Sequence, residues 1–108
     1  MPKEDQAKVL DVESLIQYQD SAIVSRILLK KKTGNITVFA FDKDQELSEH
    51  TAPFDALVQV IDGKANVIIN GKPHKLSAGQ MIIMPAKIPH ALYADEKFKM
   101  ILTMIKQV

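Results

Sequence analysis

The chain of 108 residues contains no cysteine and no tryptophan, has only four glycines, and carries a net charge of +1. The absence of cysteine excludes a disulfide framework and any metal or cluster held by thiolates. A net charge near zero produces no long-range field, so neither nucleic acid nor a membrane is an expected partner. No apolar run approaches the roughly 20 residues of a membrane-spanning helix, and the first residues do not resemble a signal peptide. We therefore expect a cytoplasmic protein.

The amino-acid composition of the chain is typical of one globular domain. Apolar residues make up 46% of the chain and charged residues 25%, which is ordinary for a folded domain with a single core. We interpret residues 1–22 as an N-terminal arm with a short helix, because Val9, Val12, Leu15 and Ile16 repeat at helical spacing. Residues 23–108 then form the main domain.

From residue 23 onward the sequence shows short β patterns separated by turn residues. Asn70-Gly71 is a strong hairpin signal because both central positions of a type I′ turn need positive φ. Asp62-Gly63 and Thr33-Gly34 are interpreted as hairpin turns in the same way. Many short strands at regular spacing predict an all-β sandwich or barrel. The predicted strands are Ile23–Lys31, Asn35–Phe41, Leu47–Thr51, Ala56–Asp62, Lys64–Ile69, Lys72–Leu76, Met81–Met84, His90–Ala94 and Phe98–Ile105.

The second half of the chain carries a motif built on Gly79, Pro85 and His90. Its spacing resembles the second signature motif of the cupin superfamily, G-x5-P-x-G-x2-H-x3-N. Two positions depart from the motif: Lys87 stands where it has glycine, and Ala94 where it has asparagine. The match is nevertheless specific, because the glycine, proline and histidine keep their spacing.

An earlier segment resembles the first cupin motif, G-x5-H-x-H-x3-E-x6-G. It falls on His50, Ala52, Ala56 and Gly63, so the second histidine and the glutamate are both replaced by alanine. The resemblance covers about residues 35–105. It implies an antiparallel double-sheet jelly-roll barrel, with a pocket inside it and the short N-terminal helix outside.

In the cupin family the motif side chains hold one metal ion, and the resemblance leaves only His50 and His90 of that set. Two imidazoles without a carboxylate hold a divalent ion weakly, since zinc and iron sites use at least three protein ligands. A weakly bound divalent metal is therefore the one cofactor that the sequence leaves open. Asp55 could serve as a further ligand only if a bulge after Pro53 turned it inward. Glu49 and Gln59 have weaker positional support.

We interpret the barrel as a module that binds a small organic ligand by one polar or anionic group. Two alternatives stay open: a metal-dependent enzyme of the dioxygenase or isomerase type with an incomplete two-histidine site, and metal-free acid–base catalysis by a histidine. The predicted pocket residues are His50, His90, Phe54, Val58, Met84 and Leu92.

The sequence also predicts a homodimer. A domain of this size has a limited core, and an open barrel leaves strand edges unpaired. The apolar residues of the N-terminal arm need a surface to cover. We expect a two-fold dimer that buries more than about 1,000 Å², with the arm packed against the neighbouring barrel.

Overall fold

A computed structural model describes residues 5–106 of the chain as a curled antiparallel sheet. The predicted double-sheet barrel is confirmed, and its strand bounds lie close to those expected, except that the predicted strands Ala56–Asp62 and Lys64–Ile69 form one continuous strand. Among residues 5–106, no helix is long and apolar enough to cross a membrane. The eight strands are β1 (Ile23–Lys31), β2 (Gly34–Phe41), β3 (Glu46–His50), β4 (Asp55–Ile69), β5 (Lys72–Ser77), β6 (Met81–Met84), β7 (His90–Tyr93) and β8 (Phe98–Ile105).

The strands form two faces that share one long strand. On the first face the order is β1-β2-β8-β4-β6, and on the second it is β5-β4-β7-β3. All pairings are antiparallel. The N-terminal half of β4 belongs to the first sheet and its C-terminal half to the second, so β4 joins the two faces.

The prediction that Asp62-Gly63 forms a hairpin turn is wrong. The dipeptide lies inside β4, where the register with β8 shifts by one residue between Val60 and Asp62. Gly63 has a φ of +72°, and a Cβ there would overlap the carbonyl oxygen of Lys97. A bulge of this kind needs positive φ just as a tight turn does, so the dipeptide alone does not distinguish the two. Here the bulge bends β4 from one sheet into the other.

Asn70-Gly71 forms the predicted hairpin turn between β4 and β5. Both residues have positive φ, +51° and +80°, as a type I′ turn requires. Lys87 also has positive φ, +67°, at the position where the second motif has glycine. Lys87 therefore adopts a backbone conformation that glycine adopts readily. For a residue with a Cβ this conformation costs about 1–2 kcal/mol of free energy.

The interior between the two faces is filled by alternate residues of the paired strands. Phe41 and Phe98 stack with ring centroids 4.5 Å apart, and both are fully buried. Val58, Val60 and Met100 complete this part of the core. Because successive strand residues point to opposite faces, the same alternation presents a second row of side chains on the outer surface of the first sheet.

The N-terminal arm covers part of that outer surface. Its helix is one 3-10 turn, Val12–Ser14, shorter than the apolar spacing suggests, and Asp11 gives it no side-chain cap. An isolated turn of this length has little stability of its own. Leu15 and Ile16 are buried against Val38 and Ala40 of the same chain. The expectation that the arm packs on a neighbouring barrel is therefore wrong.

Polar contacts fix the arm in place. The Tyr18 hydroxyl donates to Asp62 at 2.6 Å, and the Lys99 ammonium donates to the Glu13 carbonyl at 2.6 Å. Arg26 donates to the Leu15 carbonyl at 3.1 Å. Burial raises the pKa of Tyr18 above its ordinary value, and the bond to Asp62 acts in the same direction. The arm is thus held by both apolar contacts and hydrogen bonds, and it belongs to its own barrel.

Candidate functional site

The two motif histidines meet inside the barrel because of how β3 pairs with β7. Leu47 lies opposite Leu92, but His50 lies opposite His90, so β3 contains one more residue than β7 over this stretch. A regular strand would place Glu49, not His50, on the same side as Leu47. The shift turns His50 rather than Glu49 towards His90, although both His50 and Glu49 remain exposed to solvent.

The two imidazole rings are in direct contact. Their Nε2 atoms lie 3.1 Å apart, and the ring centroids are separated by 4.3 Å in a T-shaped arrangement. His90 is buried, with 6% of its surface exposed, whereas His50 is exposed to solvent. The pair therefore links the barrel interior to its opening.

Both rings are oriented through their other nitrogen. The Nδ1 atom of His50 lies 2.9 Å from the Ser48 carbonyl oxygen, and that of His90 lies 3.2 Å from the Ile88 carbonyl oxygen. A carbonyl oxygen only accepts hydrogen bonds, so each Nδ1 carries the proton. When both rings are neutral, each Nε2 then presents a lone pair, and the two lone pairs face each other.

The electrostatic environment favours a neutral His90. Burial lowers the pKa of His90 below its ordinary value, and the charge of a protonated His50 acts in the same direction. The hydrogen bond to the Ile88 carbonyl opposes both effects. Two facing lone pairs at 3.1 Å repel, and a hydrogen-bond donor or a cation that contacts both nitrogens from one side removes the repulsion.

A cavity of about 50 Å³ adjoins the histidine pair. Three predicted pocket residues, Phe54, Met84 and Leu92, lie in its wall. Val58 does not: it faces inward as its parity requires but lies deeper in the core. The remaining wall residues, which are not among the residues predicted from the sequence, are Leu47, Ala52, Ala56, Leu102 and Met104.

The alternation of β8 turns Leu102 and Met104 inward. This alternation does not predict which end of the barrel contains the cavity. Two further wall residues, Ala52 and Ala56, were recognised from the sequence as the alanines at the lost ligand positions. They adjoin the space where the family motif places two ligands.

The donor set does not fit a tightly held metal ion. Asp55 points away from the cavity and accepts a hydrogen bond from the Ala86 amide at 2.9 Å. Gln59 pairs with residues on the outer face of its sheet. Nowhere between residues 5 and 106 do three histidine, cysteine, aspartate or glutamate side chains cluster as a metal site would require. His50 and His90 would supply two ligands, and zinc and iron sites use at least three from the protein.

Comparisons with known proteins agree with this architecture. The profile of the cupin domain family matches residues 37–106. A conserved protein of unknown function from Streptococcus pyogenes is 41% identical, with a TM-score of 0.90 over 94% of this chain and 90% of that one. A cupin 2 conserved barrel domain protein from Leptotrichia buccalis is 39% identical, with a TM-score of 0.85. That match covers 87% of this chain and 46% of the other, so this chain spans just under half of it.

More distant similarity extends to an enzyme. Salicylate 1,2-dioxygenase from Pseudaminobacter salicylatoxidans is 19% identical, with a TM-score of 0.71 over 77% of this chain and 26% of that one. A likeness at this identity concerns the fold alone. No curated protein matches the sequence significantly. The family profile, the 41% identical structure and the two-motif barrel agree, and the chain belongs to the cupins as a small single-domain member.

Proposed function

We propose that this cupin is a binding module, which takes up a small molecule by a hydrogen-bond donor group placed between His50 and His90. The observation that carries the proposal is the 3.1 Å separation of the two Nε2 atoms, which present facing lone pairs when both rings are neutral. Both Nδ1 atoms are already engaged with backbone carbonyl oxygens, so the rings are preorganised as acceptors. A hydroxyl or an amine is the complementary ligand group, in place of the anionic group that the sequence left open.

The size of the site limits what enters it. A cavity of about 50 Å³ holds one or two water-sized groups. Sites for whole drug-sized ligands are several times larger, from about 300 Å³ upward. The donor head of the ligand would therefore occupy the cavity, and its apolar remainder would lie along Leu47 and Phe54 at the opening.

Binding is favoured over catalysis because the wall offers no acid or base besides the histidines. The other wall side chains are all apolar. A carboxylate beside Nδ1 would stabilise a histidine that takes up a proton during catalysis, and here both Nδ1 atoms meet neutral carbonyl oxygens. The Tyr93 hydroxyl does not supply an acid or base to the cavity, because it donates its hydrogen bond to Asp44.

One observation favours a second candidate, a metal-dependent small-molecule enzyme. Two nitrogen ligands bound to one ion at about 2.0–2.1 Å, and at an angle of about 100°, lie about 3.1 Å apart. The Nε2 separation has this value. Water or the substrate would have to supply the remaining ligands, and the dioxygenase likeness bears on the fold alone.

A matched ligand pair separates these candidates. Phenol carries a donor group and toluene has a similar shape without one, and binding of each is followed by nuclear magnetic resonance of the ring nitrogens of the histidines. We expect phenol to bind about 5- to 10-fold more tightly, since one buried hydrogen bond contributes about 1–1.5 kcal/mol. His90→Phe keeps a ring but removes the acceptor and should abolish the difference. His74→Phe, outside the cavity, is the control.

Equal affinity for phenol and toluene would refute the binding proposal. Stoichiometric zinc, taken up by the tag-free protein at micromolar concentration, would favour the metal-dependent candidate. Zinc binding and the phenol preference are measured separately, so each candidate has its own readout.

A further inference from the structure

The wall of the histidine cavity includes two methionines. Met84 and Met104 line the same space as His50 and His90. Met84 is 2% exposed, and Met104 is partly buried against the same core. The chain has no cysteine, so thioethers are the sulfur ligands that it can offer. Two imidazoles and two thioethers therefore border one cavity.

Strand pairing places the two methionines on either side of Ala56. That residue of β4 lies opposite Met84 of β6 and opposite Met104 of β8. Directly opposed residues of antiparallel strands project from the same face of the sheet, so all three side chains point into the barrel. The two outer strands are about 9.6 Å apart, at about 4.8 Å per spacing, and alanine leaves the gap between them open. Methionine has three rotatable bonds, which let each sulfur move over Ala56.

The geometry of the histidine pair indicates that an ion bound to it takes further ligands. At about 2.0–2.1 Å from the ion, two nitrogens on opposite sides of it would be about 4.1 Å apart. The Nε2 atoms are only 3.1 Å apart, which corresponds to an angle of about 100° at the ion. This bent arrangement is close to tetrahedral and leaves two positions for other ligands. Each Nδ1 donates to a backbone carbonyl oxygen, which is the usual orientation of a metal-binding histidine.

The ligand types indicate which ion the cavity would hold. Thioethers are soft ligands that favour copper(I), and imidazole also binds copper. All four side chains are neutral when they bind, so the charge of the ion stays uncompensated inside the barrel. In the Born description the cost of burying an ion rises with the square of its charge, so a divalent ion costs about four times as much as a monovalent one. The side chains that do not fit zinc or iron therefore suit a soft monovalent ion.

We propose that the cavity is a copper(I) site, with two imidazole nitrogens and two thioether sulfurs as its ligands. The nitrogens are those of His50 and His90, and the sulfurs are those of Met84 and Met104. A cavity of about 50 Å³ holds one or two water-sized groups, which is enough for a single ion. The chain itself supplies every ligand, unlike the divalent site that water or a substrate would have to complete. The copper(I) site does not depend on the binding of an organic ligand.

Anaerobic titration of the tag-free protein with copper(I) tests the proposal. Competition with bicinchoninate, a chelator that is coloured when it holds copper(I), measures the affinity. We expect one copper(I) per chain. Zinc gains little from the two thioethers, so it should bind at least about 100-fold more weakly, at about 10-fold for each missing ligand.

Methionine variants test the sulfur ligands. Met84→Leu and Met104→Leu should each lower the copper(I) affinity at least about 10-fold, since even the loss of an outer partner of a metal ligand costs about 10–100-fold. Leucine replaces methionine with little loss of stability, so both variants should fold. Met100→Leu is the matched control. Met100 is fully buried on β8 but lies outside the cavity wall, and its replacement should leave the affinity unchanged.

The methyl groups of the methionines supply a second measurement that needs no variant. Silver(I) is a soft monovalent ion that keeps its charge during the titration, and it serves here as the probe. An equimolar amount should shift the carbon-13 methyl signals of Met84 and Met104. The signal of Met100 in the core and that of Met81, which is 63% exposed, should stay in place.

The absence of copper(I) binding would overturn the proposal. An affinity that both cavity variants leave unchanged, or that Met100→Leu lowers equally, would overturn it too. The same holds for zinc binding as tight as copper(I) binding, and for cavity methyl signals that do not respond to silver(I).

The preference for phenol over toluene separates this site from the proposed organic-ligand site. Met84→Leu and Met104→Leu keep both Nε2 atoms, so each variant should keep that preference. A chain that prefers phenol but binds no copper(I) would refute the copper site alone. A chain that binds copper(I) without preferring phenol would refute only the organic-ligand proposal.

Discussion

Replacing Ala52 by histidine and Ala56 by glutamate is expected to convert the two-histidine site into a four-ligand metal site. Both alanines lie in the wall of the cavity beside His50 and His90. Ala56 is 5% exposed, so a glutamate there starts inside the barrel. The new side chains would therefore join the existing Nε2 atoms without a change of backbone course.

The size of the effect can be worked out from ligand number. Four-ligand zinc sites in small peptides bind with about 10–16 kcal/mol, or about 2.5–4 kcal/mol per ligand. Two added ligands would contribute about 5–8 kcal/mol. Overpacking a cavity of about 50 Å³ would cost about 1–3 kcal/mol. The net gain is at least about 2 kcal/mol, and zinc affinity should rise at least about 30-fold.

Calorimetric titration of the tag-free double variant with zinc measures this gain against the parent chain. Ala91→Glu is the control, because Ala91 neighbours His90 in sequence but lies on the opposite face of β7. A double variant that binds zinc no better than the parent, while folding normally, would show that Ala52 and Ala56 do not occupy the motif positions.

Three further outcomes are expected. Gly63→Ala should destabilise the fold by at least about 3 kcal/mol in urea unfolding, because a Cβ there meets the Lys97 carbonyl at positive φ. Gly71→Ala has open space around its Cβ and should cost only about 1–2 kcal/mol, so equal costs would contradict the assigned contact. Lys87→Gly should raise the free energy of unfolding by about 0.5–1 kcal/mol by relieving a positive φ, and a loss of stability would refute that reading. A chelator should leave the melting temperature unchanged, because two histidines do not form a structural metal site; a drop of many degrees would reveal a missed ligand.

The parts of the fold that depend on local chemistry could be predicted from the sequence. The Asn70-Gly71 turn follows from the need for positive φ at both central positions. The other strand bounds follow from the turn residues around them, but Asp62-Gly63 lies inside β4. The second motif is recognised from the spacing of Gly79, Pro85 and His90. That spacing is kept although Lys87 and Ala94 stand where the motif has its second glycine and its asparagine.

The parts of the fold that depend on pairing between strands could not be predicted from the sequence. The extra residue that turns His50 inward belongs to the register of β3 against β7, and register is a property of two strands. The same limit explains the error at Asp62-Gly63, where only the pairing with β8 distinguishes a bulge from a turn. Parity places Val58 inside the barrel, but the depth of the cavity is set by the packing of both sheets.

The continuity of β4 has a consequence for how the protein opens. Its 15 residues pair with β5, β6, β7 and β8, so neither face can separate without breaking hydrogen bonds on the same strand. The cavity wall takes Ala56 from β4, and His90 pairs directly with Ile69 near the other end of that strand. Opening of the barrel is therefore a cooperative event that involves both sheets at once. Phe54 is the cavity-wall residue that lies, with Ala52, between β3 and β4 and outside the strand ladder.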